Sequence, residues 1–88
     1  MIIGKVVGSI VATRKNEKLV GCKFLIVEPL ENMDHGKGRF VAIDSVGAGI
    51  GEIVLVATGS AARVGCNMQD SPIDAAIVGI VDDGIRLE

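Results

Sequence analysis

The stretch DSVGAGIGEIVLVATGSAAR, Asp44 to Arg63, decides how this chain folds. Glycines stand at Gly47, Gly49 and Gly51, and the almost unbroken apolar run IVLVA, 53–57, comes directly after Glu52. A glycine cluster of this kind either cradles a phosphate or lets the chain turn tightly. A dinucleotide fingerprint needs GxGxxG between a strand and a helix, so that the helix N-terminus faces the pyrophosphate. Here the glycines alternate, and the β-branched residues that follow read as a strand. No helix dipole faces the loop, and the Glu52 carboxylate stands where an anion would approach. The stretch therefore predicts a tight turn between two strands, built from small residues so that another backbone can come close.

Working outward, RFVAIDSV (Arg39 to Val46) is the strand that enters this turn and EIVLVAT (Glu52 to Thr58) the one that leaves it. Upstream, VGCKFLIVEPL (Val20 to Leu30) reads as a strand that ends at Pro29, which has no N–H for a ladder. From Ile2 to Thr13 the period is two, and the even positions Ile2, Gly4, Val6, Gly8, Ile10 and Ala12 are all apolar or glycine. RKNEK, from Arg14, makes a charged hairpin or loop, and ENMDHGKG, from Glu31, a solvated one. Downstream, GSAAR predicts one helical turn with Ser60 as N-cap. A polar connection then leads to a last strand, AAIVGIV, Ala75 to Val81. Five short strands with a brief helical element after the fourth predict an all-β fold. A small five-stranded OB-like barrel is expected, one domain over 1–88, because closure removes exposed edges.

The composition supports strands and raises a question of solubility. Apolar residues make up 49% of the 88, mostly Val, Ile and Ala, with two Phe and no Tyr or Trp; glycines number 12. A domain of this size buries only about 60–65% of the surface its unfolded chain exposes. The apolar residues exceed what one core hides, so partner subunits are expected to cover the rest. The net charge of −2 supplies no basic field for a polyanion. Cys22 and Cys66 lie far apart with no CxxC, which predicts two reduced thiols and no metal. No basic segment precedes a long apolar stretch, and no run approaches the roughly 18 apolar residues that span a bilayer. A cytoplasmic protein with no membrane partner is expected.

GKVVGSIVATRK, LVGCKFLIV, VAIDSVGAGIGEIVLVATGSAAR and SPIDAAIVGIVD occur in this order across nearly the whole chain. Together they resemble the EutN/CcmL family, the pentameric vertex proteins of bacterial microcompartment shells. DSVGAGIGE and GSAAR in tandem are the most specific parts. Ser60-Ala61 departs mildly from the Ser-Ser that the family often carries before Ala-Arg. The resemblance implies a homopentamer that caps five-fold corners of a shell built mainly from hexameric tiles. It implies no enzyme activity and no cofactor.

Candidate interface or axial residues are Gly47, Ala48, Gly49, Gly51 and Glu52 in the first motif, and Gly59, Ser60, Ala61, Ala62 and Arg63 in the second. Small side chains permit crowding about a five-fold axis, so one of these two segments is expected to approach it. Arg63 is expected either to contact a neighbour or to pair within the chain with Asp44 or Glu52, and otherwise to be solvated on a rim. His35 beside Asp34 reads as a solvated loop histidine rather than a ligand or base. Asp70, Asp74, Asp82 and Asp83 read as turn and cap residues. The runner-up function is an OB-like module for nucleic acid or a small ligand. Lys5, Arg14, Lys15, Lys18 and Lys23 gather early in the chain, but such modules need aromatic platforms, and Phe24 and Phe40 both sit in runs that read as core.

Overall fold

Runs of β-branched residues form β1 (Ile2–Ile10), β2 (Lys23–Pro29), β3 (Phe40–Asp44), β4 (Ile53–Thr58) and β5 (Ala75–Val81). A helix, α1 (Ser60–Gly65), separates β4 from β5. The computed structural model describes residues 1–13, 15–30, 38–67 and 72–82. The strands close into a barrel in the order β1-β2-β3-β5-β4, as the OB-like expectation required. Every neighbouring pair is antiparallel except β3 with β5, which is parallel and short, joining Ile43 to Ala76 and Asp44 to Ile77.

Alternation along the strands fills two separate cores. Val6, Leu25, Val27, Ala42, Val54, Val56 and Ile77 point into the barrel and are almost wholly buried. Outside the wall, Ile43, Ala57 and Ala76 are covered by Ala62 of α1 and by Ile73, with Phe24, Leu19, Cys22, Cys66 and Val78 packed around them. Phe24 and Phe40 thus both serve packing. Neither cysteine is in a disulfide, and both sit half-buried against this outer cluster.

Gly4 shows why the first strand carries glycine. A Cβ there would lie 2.6 Å from Val27 Cγ1 and 2.8 Å from the Glu28 carbonyl oxygen, the latter part of a paired backbone that cannot move aside. Overpacking of this kind costs about 2 kcal/mol. Gly4→Ala is expected to lower Tm by about 10 °C in a thermal melt; an unchanged Tm would mean that β1 and β2 separate freely.

Two local expectations need correction. The even face of β1 points inward only as far as Val6. A bulge between Val6 and Gly8 inserts an extra residue, so Gly8 shares the outer face with Ile26 and the alternation reverses. Ser60 is not the N-cap of α1. Gly59 is, at φ 64, a left-handed geometry that glycine adopts without strain, and no side chain caps the helix. The helix also runs past Arg63 to Gly65. The charged stretch before β2 contains, within the expected loop, a 3-10 turn, Glu17–Leu19, started by Asn16, whose side chain accepts the Lys18 N–H at 2.9 Å.

Candidate functional site

The loop from Ser45 to Glu52 folds across one mouth of the barrel, and its fastenings answer the phosphate question. Asp44 Oδ1 accepts the N–H groups of Val46, Gly47 and Ala48, each at 3.1 Å. Glu52 Oε1 accepts the N–H of Gly49 at 2.6 Å. The Gly51 N–H donates to Val6 O at 2.8 Å and the Glu52 N–H to Gly49 O at 3.2 Å. The donors that a phosphate would need are therefore held by the chain's own carboxylates and carbonyls. Gly47 at φ 81 and Gly51 at φ 94 make the turn possible.

Lys23 Nζ braces the loop from β2, donating to Ala48 O at 2.9 Å and lying 4.0 Å from Asp44 Oδ2. Ser45 Oγ donates to Ile77 O at 2.6 Å and ties the base of the loop to β5. The side chain of Ala48 is fully buried and seals the inner core, while Val46 and Ile50 stand out at 41% and 67% exposure. Gly47, Ala48, Gly49, Gly51 and Glu52 thus form one fastened unit, as expected of a tight turn.

The second candidate segment lies elsewhere. Gly59 N–H donates to Asp74 O at 2.8 Å, at the far end of β4 from Gly51. A strand the length of β4 spans about 20 Å, so the structure does not bring the two glycine segments together. In α1, Ala62 is buried, whereas Ser60, Ala61 and Val64 are exposed.

Arg63 pairs with neither expected carboxylate, since Asp44 and Glu52 are both turned toward the glycine loop. Its Nη1 instead donates to Ile73 O at 2.8 Å, pinning α1 to the segment before β5. A hydrogen bond from a charged donor contributes about 1.5–3 kcal/mol, less where it is half-exposed. Arg63→Ala is expected to lower Tm by about 5 °C and to loosen the oligomer. An oligomer mass unchanged in light scattering on dilution would confine Arg63 to that internal bond.

Among the described residues no group of His, Cys, Asp and Glu converges as a metal site. His35, Asp34, Arg14, Asp70 and Asp83 lie outside the described residues. Asp74 and Asp82 are exposed at the two ends of β5. No described helix is long and apolar enough to cross a membrane.

Two outward flanks of the barrel are largely apolar. On the first, Leu55 of β4 stands opposite Ile3 and Gly79, and Ile53 opposite Val81 and the exposed Lys5. Leu55 leans over the Gly79 backbone, its Cβ 3.6 Å from where a Cβ would be. On the second, Ile26 of β2 stands between Gly8 and Val41, the last 45% exposed.

A family model described as "Ethanolamine utilisation protein EutN/carboxysome" matches residues 1–82. The chain belongs to the EutN/CcmL family. Its relatives include the microcompartment shell vertex protein GrpN of Rhodospirillum rubrum, 51% identical over 93% of both chains. The carboxysome shell vertex protein CcmL of Synechocystis is 47% identical over 93% of this chain and 83% of its own. The solved structure of the pentameric R. rubrum shell protein superposes with a TM-score of 0.82 at 48% identity, covering 99% of this chain and 100% of that one.

For a member of this family, the flank residues Ile3, Ile26, Val41, Ile53, Leu55 and Val81 are those that sequence reasoning did not single out. A signal for them was present. IVLVA in β4 is apolar at both parities, and a strand of a one-core domain needs only one.

Proposed function

We infer that this chain is a structural subunit of a bacterial microcompartment shell, a homopentamer that caps five-fold vertices in the cytoplasm and works by geometry rather than by catalysis. The observation that carries this reading is the match to shell vertex proteins over nearly the whole chain, in sequence and in fold. The barrel supplies a physical reason. A ring of identical chains closes through heterologous contacts, each copy offering one face to a different face of the next. The flank around Leu55 and the flank around Ile26 and Val41 are two such faces, centred on β4 and on β2 with β3. Neither is needed to fill the barrel's own core.

The remaining partners follow from the role. Hexameric shell proteins surround the vertex in this reading. The turn at Gly47, Gly49 and Gly51 and the segment Gly59 to Ala62 both carry small residues suited to crowding at the axis. Because they lie at opposite ends of β4, one of them lines the narrowest part of the opening. The ligand-module reading has lost its main requirement, since Phe24 and Phe40 are engaged in packing rather than displayed for stacking.

Native mass spectrometry tests the assignment. Five copies of the 9.1 kDa chain give a species of about 45 kDa. A stable 9.1 kDa species at micromolar concentration overturns it.

A further inference from the structure

We propose that Asp44 is the positioning residue of the assembly surface: its carboxylate shapes the glycine loop within each protomer, so that Val46 and Ile50 already stand in contact geometry when a second copy of this chain arrives. The proposal rests on the pentamer reading and names a residue on which it depends.

Asp44 follows Phe40 and Ala42 at the same parity of β3, so its side chain reaches the barrel mouth rather than the outer wall. There it is only 4% exposed. A carboxylate this covered is retained where it has partners, and Asp44 has three successive amides on one oxygen with Lys23 beside the other. The loop that it gathers contains Gly47, Gly49 and Gly51. Glycines carry the largest conformational freedom in an unrestrained chain. Without an internal fastening, such a loop would have to be ordered by the neighbouring subunit, which weakens association. With it, the ordering entropy is incurred once, at folding.

The two outward side chains give the loop its partner. Val46 and Ile50 are apolar and exposed, and Ala48 between them already seals the core, so the barrel itself does not require them. The loop leads through the exposed Glu52 into Ile53, opposite Lys5, and Leu55 of the first flank, so loop and flank are neighbours along the chain. A second copy that covers the flank also meets the loop.

The test compares Asp44→Ala and Asp44→Asn with the wild type at matched protomer concentration. It uses native mass spectrometry for assembly, circular dichroism for the barrel, and amide hydrogen exchange at residues 46–48 for the loop. Asp44→Ala is expected to keep the barrel spectrum, to exchange faster at those amides, and to raise the concentration at which the pentamer half-dissociates by about tenfold or more. Asp44→Asn retains an oxygen acceptor and is expected to restore both readings most of the way. A pentamer of wild-type strength in Asp44→Ala, despite faster exchange, overturns the proposal. So does an Asn variant that behaves as the Ala variant does. If Asp44→Ala does not fold, exchange in wild-type protomers separated by dilution decides. Protection of residues 46–48 before assembly supports the proposal, and protection that appears only in the pentamer overturns it. A wild type that never forms a pentamer removes the functional reading instead, while protection of these amides in the monomer still reports the fastening.

Discussion

Leu55→Asp is expected to convert the pentamer into a folded monomer. Leu55 stands half-exposed on the outer wall of β4, opposite Ile3 and over Gly79, with Ile53 and Val81 beside it. In a lone barrel a carboxylate at this position stays in water, so the inner core and the circular dichroism spectrum should be unchanged. In a ring it would be carried into a largely apolar contact whose cation, Lys5, stands opposite Ile53 and so lies diagonal to position 55. Burying a charge costs several kcal/mol, which a diagonal pair offsets only in part, and the ring contains the substitution once per subunit. Native mass spectrometry should find a 9.1 kDa species where the wild type gives the pentamer. An intact pentamer would remove the Leu55 flank from the interface.

Leu25→Ala should act on the fold itself. Leu25 is 1% exposed and sits at the centre of the inner core, paired across β3 with Ala42, a residue too small to expand into the space left behind. Truncating a buried leucine to alanine costs about 2–5 kcal/mol. That is a large share of the roughly 5–15 kcal/mol that stabilises a typical domain. Tm is expected to fall by about 8 °C or more, on the order of 4–8 °C for each kcal/mol. Assembly stabilises whatever folded state remains by mass action, so wild type and variant are to be melted at one protomer concentration. A shift below about 5 °C would mean that the barrel closes over the cavity.

The succession of five strands along the chain and the helix after β4 were legible because each rests on a local pattern. Alternation in Ile2–Val6, the β-branched run after Glu52 and the stop at Pro29 all act within a few residues of themselves. The limits of each element were less legible. The Val6–Gly8 bulge depends on how β1 meets β2, and the choice of Gly59 over Ser60 as N-cap depends on the angle at which the chain leaves β4. At the candidate site, the glycine loop was rightly read as a tight turn, since the strand and Glu52 after it are sequence facts. The partner of Arg63 was misread. A carboxylate seemed the natural mate, but the backbone carbonyl of Ile73 is what the fold brings within reach.

By itself, then, the order of residues determined an all-β chain with more apolar side chains than one core can hide, because periodicity, glycine placement and composition are properties of the chain alone, while its motifs carried the resemblance to the EutN/CcmL family. The closed geometry decided which of those side chains face inward and which form the two flanks, and it brought Lys23 and Asp44 together over a loop that Ala48 plugs. Those contacts join residues far apart along the chain, and pairing at such separation is settled only when the strands close on one another.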